Sequence, residues 1–366
     1  MENIANTNDQ VLSEKTTIRD VIIIGGGQSA LACGYYLRRL DLDWLMLDAQ
    51  EESGGAWQHT WDSLTTFSPA QYSSLPGWLM PKSKGPYPTR DEVLEYLRQY
   101  EARYELPIRR PVDVHSVRRE NNLFRLETSD GLFSCRALIS ATGTWQAPYI
   151  PDIPGCGLFA GRQLHSAFYR SPLPFREKRV LVIGEGNSGA QILADLVPHT
   201  TAAHWATKDE PDFLPEDVDG RVLFNVASAK YYAEQKGETF DTSKLNLGNI
   251  VLVPSIRQAF RDGHLISHGQ IREITEDGVV WQDDRREQYD TLIWCTGFHY
   301  ATDHLEGLVP RDQRGRIQTK GTKATEIDNL WLVGYGNWTG FASATMIGVG
   351  RSARKTVREV ERSLGR

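Results

Sequence analysis

Short, largely apolar runs punctuate this chain at 21–24, 138–141, 180–183, 292–295 and 330–333, with mixed or polar sequence between them. Runs of this length, rich in Val, Ile and Leu, predict strands buried on both faces, as in a parallel sheet. Two of them lead straight into glycine turns. Val21-Ile22-Ile23-Ile24 enters Gly25-Gly26-Gly27-Gln28-Ser29-Ala30, and Val180-Leu181-Val182-Ile183 enters Gly184-Glu185-Gly186-Asn187-Ser188-Gly189. Apolar residues at helical spacing follow each turn, so each reads as strand, turn and helix start.

The order of events then repeats. Each unit passes through an alternating meander and reaches another buried strand closed by Thr-Gly, at Thr142-Gly143 and at Thr296-Gly297. The separations from the first turn glycine, 25 to 143 and 184 to 297, are nearly equal. Motifs in one order at matching spacing predict two copies of one architecture. The run at 330–333 lacks a unit of its own and is expected to rejoin the first sheet. The expected fold is therefore α/β, with two Rossmann-like three-layer dinucleotide-binding domains, the second inserted into the first.

The glycine turns suggest the chemistry. A pyrophosphate needs backbone N–H groups and the positive end of a helix dipole brought close. Gly25 permits the sharp turn, Gly27 removes a side chain that would block the phosphates, and Ala30 allows close helix–strand packing. Asp48, ending the next apolar strand, is placed to accept hydrogen bonds from an adenosine ribose. In the second unit the matching strand runs His204-Trp205-Ala206-Thr207-Lys208-Asp209. Lys208 offers a cation to a 2′-phosphate while Asp209 repels one, so NADPH and NADH are both admitted. The first site suits FAD or NAD(H), and the expected division is a disordered leader at 1–17, a first dinucleotide-binding domain at 18–150 and 290–366, and an NAD(P)H-binding domain at 151–289.

Composition changes this picture little. A chain of 366 residues suits two domains, and a net charge of −6 gives no reason to expect nucleic acid. No apolar segment predicts a signal or a membrane span, and the expectation is a cytoplasmic protein. Cys33, Cys135, Cys156 and Cys295 are scattered with no CxxC pair, so neither a zinc site nor a redox dithiol is expected. No metal is predicted.

At the junction of the units stands Phe159-Ala160-Gly161-Arg162-Gln163-Leu164-His165-Ser166-Ala167-Phe168-Tyr169. Phe159, Gly161, His165 and Tyr169 match the FxGxxxHxxxY stretch of flavin-containing monooxygenases. With the two turns and the Thr-Gly crossovers, the chain resembles that family from about residue 18 to about 355. It is most similar to a small bacterial group tolerant of both NADH and NADPH.

The resemblance implies site residues. For FAD these are Gly25, Gly27, Gln28, Ser29, Ala30, Asp48, Gly55 and Trp57 of a GGxW segment, Val114 beside the adenine, Thr142, Gly143 and Gly334. For the nicotinamide cofactor they are Gly184, Gly186, Asn187, Ser188, Gly189, Thr207, Lys208 and Thr296. His165 is expected to couple the domains, and Phe67 and Asn337 are candidates near the flavin. Phe67 departs from the family, which commonly carries Asn there; Phe supplies no hydrogen bond. No catalytic acid or base is assigned.

The implied activity is an NAD(P)H-consuming monooxygenase that forms a C4a-(hydro)peroxyflavin and oxygenates sulfides or amines, with ketones as Baeyer–Villiger substrates also open. Its partners would be molecular oxygen and a small organic substrate; a homodimer is one open oligomeric state. The competing readings are an NAD(P)H oxidase or flavin-dependent reductase on the same fold, and a non-catalytic flavin redox sensor.

Overall fold

The computed structural model describes residues 17–238, 249–340 and 342–365. The expected leader, but for its last residue, lies outside the described residues. The first unit opens with β1 (Ile18–Ile24), α1 (Gln28–Leu37) and β2 (Trp44–Leu47). It continues through α2 (Arg90–Arg103), β3 (Ile108–Arg109), and a meander of β4 (Val114–Glu120), β5 (Leu123–Thr128) and β6 (Gly131–Ser140). α2 begins on a capping box: Thr89 accepts from the Glu92 amide while the Glu92 carboxylate takes the Thr89 N–H. Two orphan helix donors are thereby satisfied.

The second unit holds β7 (Arg162–His165), β8 (Arg179–Ile183), α3 (Asn187–Leu196) and β9 (Ala202–Ala206). After α4 (Gly220–Gln235) and α5 (Pro254–Arg261) come β10 (Ile271–Ile274), β11 (Gly278–Trp281), β12 (Arg286–Gln288) and β13 (Thr291–Trp294). The chain ends through β14 (Thr319–Lys320), β15 (Lys323–Ala324), β16 (Leu330–Leu332) and the long α6 (Met346–Ser363).

Each unit has three layers because its central strands alternate between two covers. On β1, Val21 and Ile23 pack with α1, α2 and α6, whereas Ile22 and Ile24 face the meander side with Phe124 and Leu126. On β8, Val180 and Val182 face α3 and α5, whereas Leu181 and Ile183 face Trp281 and Tyr289 of the β10–β12 side. Period-two alternation on a strand covered on both faces yields this sandwich. The first sheet has the path β14-β15-β16-β6-β1-β2-β3, and the second has the order β7-β13-β8-β9. β16 pairs in parallel with β6, so the run at 330–333 does rejoin the first sheet.

One expected boundary moves. The sequence puts the return to the first domain at residue 290, but β13 lies between β7 and β8, in register with both. The buried strand that ends in Thr296-Gly297 belongs to the second sheet, and the chain crosses back only after it. The two crossovers run side by side: Tyr149 donates its N–H to Gly297 O at 3.0 Å, and His299 donates to Ala147 O at 2.8 Å.

Candidate active site

Both glycine turns are built alike. A Cβ on Gly25 would lie 2.7 Å from Ala141 O, and one on Gly184 would lie 2.3 Å from Cys295 O. Each turn thus packs against the carbonyl one residue before a Thr-Gly, and both glycines adopt positive φ (112° and 124°). Gly27 and Gly186 N-cap α1 and α3 without any side-chain cap. The first N–H groups of both helices are left for an anion.

A cavity follows the first turn. It is lined by Gly25, Gly26, Gly27, Gln28, Ser29, Asp48, Gly55, Trp57, Val114, Thr142, Gly143 and Gly334, among others. Apart from Gly26, these are the residues the sequence predicts for FAD; Ala30 is buried behind them. The residues fit the cofactor. Uncapped helix N–H groups would meet a pyrophosphate there, and a Cβ placed on Gly27 would meet only Gly55 Cα, at 3.7 Å. Asp48 is buried and takes the Arg110 Nε–H at 2.7 Å; Arg110 also pairs with Glu101 at 2.7 Å. Burial raises the Glu101 carboxyl against the lowering effect of that guanidinium.

Some predicted residues serve the walls. Thr142 Oγ1 donates to Ala301 O at 2.5 Å and lies 2.7 Å from the Tyr335 hydroxyl. Thr296 Oγ1 donates to Tyr149 O at 2.5 Å, and Thr207 Oγ1 lies 2.6 Å from Ser267 Oγ. Asn187 uses both ends of its amide on the loop at 249–251, donating to Asn249 O and accepting from Val251 N–H at 3.0 Å each. Lys208 is exposed. Gly189 packs against the turn, a Cβ there meeting Gly184 O at 2.2 Å.

His165 is buried, with Nδ1 accepting the Ala167 N–H at 3.1 Å and Nε2 2.9 Å from Gly297 O. These partners require the proton on Nε2, which donates to the carbonyl. Burial lowers its pKa, keeping the ring neutral. His165 thus ties β7 to the second crossover. Tyr169 donates to Asp195 Oδ2 at 2.7 Å.

A second cavity of about 310 Å³ adjoins the first, and Gln28, Trp57, Trp145 and Ala344 line both. Its other walls include Trp61, Leu64, Phe67, Tyr72, Leu223, Phe224, Met346 and Ile347, with Asn187 and Ser188 from the second turn. None of its described lining residues is charged. Phe67 therefore faces this chamber, where it packs on Gly220 (a Cβ there would lie 2.6 Å from the ring). Sequence reasoning missed walls such as Tyr72, Leu223 and Phe224, which carry no motif.

Asn337 is a correction. It is exposed and lines neither cavity, because its turn presents Thr339 inward, where the hydroxyl accepts from Tyr335 N–H at 3.1 Å and lies 2.9 Å from Ser343 Oγ. The sequence predicts no metal, yet His204, His268 and Glu287 bring one ligand atom each within 4.8 Å of the others. Tyr289, 2.8 Å from His204 Nδ1, joins them in a hydrogen-bonded cluster outside both cavities. Cys33, Cys135 and Cys295 are buried, burial raises their thiols, and no described cysteine lines either cavity.

Two uncapped glycine turns, a cleft running from the first of them and an adjoining apolar chamber define a two-dinucleotide-binding flavoprotein. The pyridine nucleotide-disulphide oxidoreductase family matches residues 22–222. A solved flavin-containing monooxygenase from Stenotrophomonas maltophilia is 45% identical, with a TM-score of 0.86 over 94% of this chain and 98% of that one. An uncharacterised CzcO-like oxidoreductase of Geobacillus kaustophilus is 30% identical over 94% of this chain and 98% of its own. A probable indole-3-pyruvate monooxygenase of Arabidopsis thaliana is 28% identical over 93% of this chain and 89% of its own. The chain belongs to the pyridine nucleotide-disulphide oxidoreductase family and, within it, to the flavin-containing monooxygenases. It is an oxidoreductase whose cofactors are FAD and a nicotinamide dinucleotide. No helix among the described residues is long and apolar enough to cross a membrane.

Proposed function

We propose that this enzyme inserts one oxygen atom into small, uncharged, largely apolar substrates such as sulfides or ketones. The observation that carries this reading is the second cavity, uncharged throughout its described lining and sharing Gln28, Trp57, Trp145 and Ala344 with the flavin cleft. A chamber near the low end of ordinary ligand volumes, roughly 300–1,000 Å³, suits a compact substrate. A carboxylate or ammonium would be desolvated there with no counter-charge, at a cost of several kcal/mol.

The bound flavin supplies electron transfer from the nicotinamide and activation of oxygen. The chain's residues do the rest. The first turns of α1 and α3 hold the two pyrophosphates, with Gly27 and Gly186 admitting them. Asp48, oriented by Arg110, accepts from the FAD ribose. Trp57 and Trp145 exclude water from the boundary between the cavities, and Phe67 does so within the second. Lys208 and the turn around Thr207 meet the adenosine end of the nicotinamide cofactor, and His165 holds the second unit's crossover in place.

The protein belongs in the cytoplasm on this reading. A redox dithiol function receives no support, since the described cysteines lie away from both cavities. The test is a panel of matched substrates, each neutral molecule beside its carboxylate and amine analogues, assayed with labelled oxygen. Label in the neutral products supports the reading. Nicotinamide oxidation that yields only hydrogen peroxide with every substrate would make the enzyme an oxidase.

A further inference from the structure

The two units place a carboxylate at the same point of their nucleotide sites, but they bring it from different elements. In the first unit the acid is Asp48, directly after β2. In the second, the residue directly after β9 is Thr207, the same distance from its first turn glycine (25 to 48, 184 to 207). Thr207 has no charge, and its hydroxyl is engaged with Ser267. The acid there is Glu185, from the middle of the glycine turn. Its Oε2 accepts from the backbone N–H of Lys208 at 2.9 Å and of Asp209 at 3.4 Å.

The correspondence can be checked against the first unit. Gly26 is the turn residue matching Glu185, and a Cβ built on it would lie 2.0 Å from Asp48 Oδ2. A side chain leaving that turn position therefore enters the volume that the strand-end carboxylate fills. The loop contact matches as well: Asp48 Oδ1 takes the Gln50 N–H at 3.3 Å, and Gln50 corresponds in count to Asp209. One anionic position is filled from the strand in one unit and from the turn in the other.

We propose that Glu185 is the ribose acceptor of the nicotinamide site and selects a dinucleotide with a free 2′-hydroxyl. The inference rests on the second turn being that site. A carboxylate accepts from ribose hydroxyls, and the same charge repels a 2′-phosphate. Glu185 also occupies the loop N–H groups of Lys208 and Asp209, withholding from a phosphate the donors that it would use. It opposes Lys208, whose ammonium attracts the phosphate. The balance between NADH and NADPH is set by these two residues together.

Calorimetric titration of the FAD-loaded protein with 5′-AMP and with 2′,5′-ADP tests this directly. Glu185→Gln keeps an acceptor for the Lys208 N–H and removes the charge. It should strengthen 2′,5′-ADP binding about tenfold relative to 5′-AMP. Lys208→Ala should move the ratio in the opposite direction. Flavin absorbance and thermal midpoint, unchanged in the variant, show that the fold is intact. An affinity ratio equal to that of the parent, with both nucleotides still binding, overturns the role of Glu185 alone. Failure of the parent to bind either nucleotide overturns both that role and the second turn as the nicotinamide site.

Discussion

The Trp57 indole N–H donates to Gln28 Oε1 at 3.1 Å, and the same amide donates from Nε2 to Ala344 O at 2.5 Å. One side chain thus pins a wall of the flavin cleft to the loop that leads into α6. All three residues line both cavities, so this pair of hydrogen bonds holds the partition between them.

Gln28→Leu keeps the approximate volume and removes both bonds. The part-buried indole N–H then loses its partner, and the partition loosens. The expected outcome is normal FAD content with a several-fold larger share of nicotinamide oxidation ending as hydrogen peroxide. Measuring peroxide against oxygenated product checks it; an unchanged share means that the partition does not depend on Gln28.

Gly27→Val separates folding from cofactor binding. Gly27 has φ −80° and ψ −178°, extended geometry that valine adopts, and a Cβ there meets only Gly55 Cα. The side chain would instead stand where the pyrophosphate must lie. The purified variant should have the parent's circular dichroism and no flavin absorbance. A yellow, stoichiometrically loaded Gly27→Val would show that this turn does not hold FAD.

Such turns are legible in a sequence because backbone packing against a neighbouring strand leaves glycine as the residue that fits. The Gly25–Ala141 and Gly184–Cys295 contacts explain why turn and Thr-Gly recur at matching distances. Asp48 is legible for the same reason, since its place after β2 follows from strand geometry. Glu185 is not, because its carboxylate acquires a role only when β8 and β9 lie side by side. Asn337 misleads because a turn's inward face is set by hydrogen bonds of Thr339 and Ser343 that no spacing reveals. The boundary at 290 fails on pairing: an apolar run does not declare which sheet it enters. The second cavity gathers residues from 28 to 347, and its composition is a product of tertiary structure.

Acid should weaken the fold through His304. It is buried beside Ser140, with Nε2 3.0 Å from Oγ, and burial pushes its pKa down to about 4. Between about 4 and the ordinary value near 6.5, the unfolded chain binds a proton that the folded chain does not. Stability from this group is therefore full above pH about 6.5 and falls as pH drops toward 4, by on the order of 3 kcal/mol in all. His304→Gln retains a hydrogen-bonding partner for Ser140 and cannot titrate. Urea unfolding across this range should show a shallower pH dependence in the variant; parallel curves would rule His304 out as the cause.

Lys208→Ala should raise the KM for NADPH several-fold while leaving that for NADH unchanged. An exposed charge contact is worth about 1 kcal/mol or less, which bounds the effect. Steady-state kinetics with both cofactors decide the matter. Equal losses would mean that Lys208 supports the loop itself and meets no 2′-phosphate.

Phe67, which the family resemblance aligns with an Asn, lines the chamber that adjoins the flavin cleft. The residue is 37% exposed, packed on one side against Gly220, whose N–H donates to Phe67 O at 2.7 Å. The side chain offers apolar surface and no hydrogen bond, so any protection it gave a reacting centre would come only from keeping water away. An enzyme relying on dryness at this point should lose part of its reducing equivalents as hydrogen peroxide even with good substrate present. Phe67→Asn introduces a polar amide and removes ring volume, and the two effects oppose each other. The amide adds a hydrogen-bonding group, while the vacated space admits water. Phe67→Leu separates them, since it removes ring volume and adds no polarity. If dryness dominates, both variants should raise the peroxide-to-product ratio, and the neutral-substrate KM should rise with it as apolar contact is lost. If the missing hydrogen bond dominates, Phe67→Asn should lower the ratio while Phe67→Leu raises it. Unchanged ratios and unchanged KM in both variants would show that Phe67 is a packing residue of the Gly220 contact with no part in the chemistry.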